Sequence, residues 1–273
     1  MKEYVFDKLD VIKNHLRGKH ILLFLDFDGT LTPIMDTPKK AVLSCRAKDL
    51  LRKLAVLFGA SLVVISGRSL KDIKSRIGIK KIVYVGNHGL EIEGPGLRAV
   101  FPVSKPVREM MRKIRAGLTR RLRDIRGVLV EDKGLTLSIH YRLVKMRDVH
   151  RVRDRVKEQT ENYVVRKKLQ LAAGKKVIEI KPYDSRDKGK FVTEYLRKRK
   201  RLFPKEKIQP VYIGDDTTDE DAFNALRKNG LGIVVTSKKK KSFARYYVKD
   251  VNEVNRFLGF LVKLKQDSAL CRT

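Results

Sequence analysis

Acidic side chains gather at two places in a chain of 273 residues whose net charge is +32. The first is Asp26-Phe27-Asp28-Gly29-Thr30-Leu31-Thr32. Carboxylates two residues apart share one side of an extended strand. Here an apolar run ends at Asp26 and Gly29 permits a sharp turn, so both acids can converge on one small site. With no base beside them they repel each other. A bound Mg²⁺ and a phosphate would reconcile the pair, because the cation is held by oxygen ligands and offsets their charge. A strand end followed by an Asp-Gly turn would give the same letters without any chemistry. The second place is Gly214-Asp215-Asp216-Thr217-Thr218-Asp219-Glu220-Asp221, with five acids in seven positions. Its later acids suit the N-terminus of a helix running through Phe223 and Leu226. Its first acids are then left for a metal. Ser66-Gly67-Arg68 offers a hydroxyl and N–H groups to a phosphate, or an N-cap to a helix starting near Leu70. Asp187-Lys188-Gly189 opens another helix (Phe191, Val192, Tyr195, Leu196), and Lys188 there could neutralise phosphate and carboxylate together.

The elements that must position these residues are legible around them. Ile21–Leu25, Ala60–Ile65, Lys81–Val85, Val211–Ile213 and Leu231–Val235 are short apolar runs, as in buried parallel strands. Each stops at small, polar or acidic residues. In open α/β sheets the active crevice lies at the carboxyl ends of the strands. A helix is predicted over 47–58, with Leu50, Leu51, Leu54, Ala55 and Phe58 on one face. The middle of the chain has another rhythm. Val107, Met110, Met111, Ile114, Leu118, Leu122 and Ile125 follow helical spacing up to Gly127. Strand patterns follow at 128–132 and 135–142, a second amphipathic helix from Val149 to Tyr163, then strands at 168–172 and 176–181. Helix, two strands, helix, two strands reads as a small α+β module inserted at 105–183, within a core made of 1–104 and 184–273. Residues 105–183 hold 23 basic and 9 acidic side chains, so the insert is the more basic part per residue.

Composition narrows the class. A hydrophobic fraction of 42% fits a folded protein and excludes wholesale disorder. No apolar run reaches the roughly 18–20 residues of a membrane span, and the N-terminus lacks the pattern of a secretory signal. Cys45 and Cys271 are the only cysteines and no CxxC occurs, which suggests neither a disulfide framework nor a zinc cluster. A cytoplasmic enzyme with no membrane partner is expected. The excess charge favours anionic partners, or is a solvated surface. Lys238–Lys241 is its longest run and is expected in a surface loop.

Taken together, DxDGT, a Ser after a strand, a Lys and GDDxTD, in that order, resemble the four motifs of haloacid-dehalogenase-type phosphatases. The longer stretches are similar to trehalose-6-phosphate phosphatases: DFDGTLTPI (26–34), SGR (66–68), YVGNHGLEI (84–92), VEDKGLTLSIHYR (130–142), GKKVIEIKP (174–182), DKG (187–189) and GDDTTDEDAF (214–223). Asn87 and Lys181 depart from that family's usual residues. The resemblance implies a Rossmann-like doubly wound parallel core with an inserted α+β cap, and hydrolysis of trehalose 6-phosphate with Mg²⁺. It implies Asp26 as nucleophile and Asp28 as acid and base, with Ser66 and Lys188 balancing phosphoryl charge. The metal would be held by Asp26, the Asp28 backbone carbonyl and Asp215, with Asp216 and Asp219 behind them. For the sugar it points to Glu131, Lys133, Arg142 and Glu179, with Lys175, His88 and Arg68 as further contacts. Cross-strand ion pairing is the alternative reading of each cap residue. Competing classes are a phosphatase for another sugar phosphate or sugar-glycerate, a phosphotransferase or mutase, and a basic nucleic-acid-binding protein. The last is disfavoured, since no zinc finger, RNP-type motif or Walker loop is present.

Overall fold

The computed structural model describes residues 2–183 and 186–270; Cys271 lies outside them. Along the chain come β1 (Glu3–Tyr4), α1 (Leu9–Leu16), β2 (His20–Leu25), α2 (Cys45–Val56), β3 (Ala60–Ile65), α3 (Leu70–Ile77) and β4 (Val83–Gly86). Then follow β5 (Glu91–Gly94), β6 (Leu97–Val100), α4 (Lys105–Arg121), β7 (Leu129–Asp132), β8 (Leu137–His140), α5 (Val149–Val165), β9 (Leu169–Gly174) and β10 (Val177–Pro182). The chain closes with α6 (Lys188–Leu202), β11 (Ile208–Gly214), α7 (Glu220–Leu226), β12 (Leu231–Val235), β13 (Tyr246–Val248) and α8 (Val251–Leu270). No helix among the described residues is long and apolar enough to cross a membrane.

Two units divide the chain. The first comprises 1–35, 41–99 and 187–273, and the second 36–40 and 100–186. The sequence places the limits of the insert at 105 and 183; the structure moves them outward by a few residues and adds the short segment 36–40.

The first unit is a doubly wound α/β fold. Its sheet runs β1-β13-β12-β11-β2-β3-β4-β5-β6. Pairing is parallel from β1 through β4, and β5 pairs antiparallel to β4. Central strands of such a sheet face helices on both sides, which explains their unbroken apolar runs. In β2 the alternation is explicit. Leu23 and Leu25 join a core with Leu62, Val64 and Ile213 and with residues of α1, α2, α3 and α8. Leu22 and Phe24 join the opposite core with Val63, Tyr212, and residues of α6 and α7.

The second unit is an antiparallel sheet, β7-β8-β10-β9. One face carries Leu137, Ile139 and Ile180 into a core with Met111, Ile114 and Leu118 of α4 and Val152 and Val156 of α5. Directly opposed residues share a face. The register sets Glu131 opposite Ser138, and Ser138 opposite Glu179, so the other face is polar.

Helix α8 begins beyond the last recognisable motif yet supplies Val254, Phe257, Leu258 and Leu261 to the core of the first unit. Phe257 is fully buried. Phe257→Ala should therefore cost about 3–5 kcal/mol of unfolding free energy in urea titrations. A loss below about 1 kcal/mol would mean that α8 is not part of that core.

Candidate active site

Register explains why the motifs meet. Leu25 lies opposite Ile213 on one side and Val64 on the other, and Ile65 opposite Val85. Asp26, Asp215, Ser66 and the 87–89 turn therefore leave the sheet at the same end. Asp26 still donates its backbone N–H to Ile213, at 2.9 Å. The turn after it places Gly29 at φ +89, a conformation that L side chains rarely adopt. A Cβ there would lie 2.2 Å from Asp215 Oδ2, so the absence of a side chain gives the Asp215 carboxylate its place.

Asp26, Asp215 and Asp219 are all buried, and one carboxylate oxygen from each lies within 4.8 Å of the others. Lys188, the first residue of α6, donates to Asp26 Oδ1 at 2.7 Å and to Asp219 Oδ1 at 2.6 Å. Asp187 caps that helix by accepting from the Lys190 N–H, which fixes where Lys188 emerges. Asp219 Oδ1 also accepts from the Tyr212 hydroxyl at 2.7 Å, and its Oδ2 from the N–H groups of Asp215 and Asp216 at 2.9 Å each. Gly214 must be bare here, for a Cβ would come within 2.3 Å of the Asp219 carboxyl carbon.

The electrostatics follow from three carboxylates around one ammonium. Burial pushes the Asp26 carboxyl well above its usual range; Lys188 opposes this, and Asp219 and Asp215 add to it. Burial pulls the Lys188 ammonium down, but Asp219 and Asp26 outweigh it and hold its pKa well above the ordinary value. Burial, then Asp219, push the Tyr212 phenol up. The excess of negative charge, the all-oxygen donors and the place kept by Gly29 fit a hard divalent cation. Asp219 uses both oxygens on protein donors, so Asp26 and Asp215 are the carboxylates best suited to hold one. Asp216 caps the turn at 217–219, accepting from the Thr217 N–H at 2.7 Å.

Ser66 is buried at the end of β3, and its Oγ accepts from the Arg68 N–H at 3.1 Å. It does not cap the next helix; Ser69 does, accepting from the Asp72 N–H. Arg68 is buried and forks onto Asp28, Nε to Oδ2 at 2.7 Å and Nη2 to Oδ1 at 2.6 Å. His88 sits beside Gly67 in a left-handed conformation, and its N–H donates to the Ser66 carbonyl. Asn87, also left-handed, donates from its amide to Glu91 at 2.6 Å.

In the second unit the Lys133 ammonium lies 3.1 Å from Glu179 Oε1, which also accepts from the Ser138 hydroxyl at 2.8 Å. Glu131 pairs with His140 Nε2 at 2.7 Å. Arg142 donates to the backbone carbonyl of Lys175, whose side chain is exposed. Sequence reasoning missed Tyr212, Ser138 and His140. Strand alternation could have found the last two, since both share a face with Glu131. It also missed Lys240, whose ammonium lies 3.3 Å from the Asp215 carbonyl.

The chain is similar to known proteins along most of its length. The profile of the trehalose-phosphatase family matches residues 24–252. The chain belongs to that family. Probable trehalose-phosphate phosphatase 2 of Oryza sativa subsp. japonica is 36% identical over 94% of this chain and 72% of its own length. Trehalose-phosphate phosphatase B of Arabidopsis thaliana is 35% identical over 94% of this chain and 70% of its own. The C-terminal domain of C. albicans trehalose-6-phosphate phosphatase superposes with a TM-score of 0.81 at 22% identity, covering 96% of this chain and 98% of that one. A trehalose-6-phosphate phosphatase related protein gives 0.73 at 24% identity, over 90% and 99%. Membership makes this trehalose-phosphatase family chain an enzyme, a phosphoric monoester hydrolase.

Gly29→Ala tests the cation-holding arrangement without removing any carboxylate. A divalent cation should raise the melting temperature of the wild type by stabilising the folded state alone. In Gly29→Ala most of that rise should vanish. An undiminished rise would show that Asp215 need not stand where Gly29 lets it.

Proposed function

We propose that this chain is a Mg²⁺-dependent phosphatase that converts trehalose 6-phosphate to trehalose and phosphate through an aspartyl-phosphate on Asp26. The reading is carried by the meeting of Asp26, Lys188 and Asp215 in one buried site, in a chain 36% identical to a relative named as a trehalose-phosphate phosphatase. Mg²⁺ would be held by the Asp26 carboxylate, the Asp28 backbone carbonyl and the Asp215 carboxylate. When bound, it offsets the charge that would otherwise keep a phosphate away from these acids.

The chain's own residues divide the rest. Lys188 engages Oδ1 of Asp26, so Oδ2 is the oxygen assigned the attack on phosphorus. The bond from phosphorus to the sugar oxygen breaks as the bond to Asp26 forms. Asp28 gives its proton to that sugar oxygen, then takes one from the water that attacks phosphorus and releases Asp26. Ser66 and Lys188 meet the phosphoryl oxygens as charge shifts onto them. Asp219 and Asp216 orient the loop that carries Asp215. Glu131, Lys133, Arg142 and Glu179 read the sugar hydroxyls, with His88 and Lys175 as further contacts. The substrate is a small anion, with no nucleic-acid or membrane partner, and two cysteines with no CxxC suit a reducing cytoplasm.

Phosphate release from a panel of sugar phosphates, with Mg²⁺ and with EDTA, tests the reading. Trehalose 6-phosphate should be preferred and EDTA should abolish release; full activity after metal stripping would refute the metal requirement. Asp26→Asn should lose at least about a thousandfold, some 4 kcal/mol of barrier. Retention of a tenth of the activity would remove Asp26 from the mechanism. Replacing Glu131, Lys133, Arg142 or Glu179 by Ala should lower kcat/KM for the sugar phosphate about tenfold to a hundredfold, the worth of a charged hydrogen bond. p-Nitrophenyl phosphate, which has no sugar, should be little affected. Equal loss on both substrates would end the sugar-reading role.

A further inference from the structure

Arg68 has the surroundings of a residue that acts on Asp28 rather than on substrate. Its side chain is only 6% exposed, whereas that of Asp28 is 42% exposed. The carboxylate is thus open to solvent while the guanidinium is not. The fork occupies both Asp28 oxygens at once, at 2.7 and 2.6 Å, which fixes the plane of the carboxylate as well as its position. Arg68 is itself held on three sides. Its Nη1 donates to Asp72 Oδ2 at 2.7 Å, and its guanidinium lies 5.4 Å from the ring centroid of Phe27. Asp72 is in turn gripped by Arg76 Nε, at 3.0 and 2.9 Å to its two oxygens, and Arg76 Nη1 ends on the Ala41 carbonyl at 2.5 Å. Helix α3 thus forms a brace, with Ser69 capping it and Asp72 and Arg76 one turn apart on one face. A lysine at 68 would keep the charge but could not fork, stack or reach Asp72 and Asp28 in one plane.

We propose that Arg68, braced by Asp72, is a positioning residue that aims the Asp28 carboxyl at the oxygen of the leaving sugar. This rests on the phosphatase reading and on Asp28 as the proton donor. The chemistry supplies a readout that mere folding would not move. An alkoxide leaves phosphorus poorly unless it is protonated, whereas p-nitrophenolate leaves without a proton. The ratio kcat/KM reports events up to the first irreversible step, which here is transfer to Asp26 and excludes the later attack of water.

The test compares wild type, Asp28→Asn, Arg68→Lys and Asp72→Asn on trehalose 6-phosphate and p-nitrophenyl phosphate, with melting temperatures alongside. Asp28→Asn should lose at least about a hundredfold more on the sugar phosphate than on the aryl ester, the scale of general acid catalysis. Arg68→Lys should show the same selectivity, losing about thirtyfold on the sugar phosphate and about threefold or less on the aryl ester. Asp72→Asn should shift in the same direction by a smaller factor. Millimolar guanidinium, but not lithium, should restore part of the sugar-phosphate activity to Arg68→Ala. Equal losses on both substrates in Arg68→Lys and Asp72→Asn, with Asp28→Asn selective, would overturn the role of Arg68 alone. A non-selective Asp28→Asn would overturn the proton-donor reading and the proposal with it.

Discussion

The fully buried carboxylate of Asp219 accepts hydrogen bonds from the Lys188 ammonium, the Tyr212 hydroxyl and the backbone N–H groups of Asp215 and Asp216, and the site is built outward from these four bonds. Two of them fold the 215–219 loop back on itself, which aims Asp215. A third places Lys188 where its ammonium also reaches Asp26. A buried carboxylate is costly unless fully hydrogen-bonded, and this one is, within 2.6–2.9 Å of every donor. It belongs to the scaffold of the site even though it stands among the groups that could bind metal.

Such a scaffold serves a surface of opposite sign. The chain carries +32, yet three of its acids, Asp26, Asp215 and Asp219, are buried together beside a single buried lysine, Lys188. A positive exterior draws anions in. The interior would repel them unless a cation intervened, so the same acids that make the site hostile to phosphate make it hospitable to a metal. Arg68 forks onto Asp28, an acid that is not one of these three.

Much of this was legible in the letters, because buried parallel strands are short apolar runs and the residues that stop them stand where chemistry is done. β2, β3, β11 and β12 fall where the runs from Ile21, Ala60, Val211 and Leu231 place them, with ends shifted by a few residues at most. The strands β1 and β13 were illegible because two and three residues carry no period. The β5–β6 pair was missed because Glu91-Ile92-Glu93-Gly94 looks like polar loop until it pairs with Tyr84 and Val85. Local spacing also cannot tell which of two serines caps a helix: Ser66 and Ser69 both precede α3, and only the backbone path decides for Ser69. Nor could it show that Asp219 turns inward to four donors, since those donors come from β11, α6 and its own loop.

On this scaffold the proposed phosphoryl acceptor is Asp26, one of four aspartates at 26, 28, 215 and 219. Acid quenching during turnover of trehalose 6-phosphate, reduction by borohydride and peptide mass spectrometry read this directly, because an aspartyl-phosphate is reduced to homoserine where an ordinary carboxylate is not. Homoserine at position 26, dependent on substrate and on Mg²⁺, is the expected outcome of that assignment. Its appearance at 28, 215 or 219, or at no position while phosphate is being released, would contradict it.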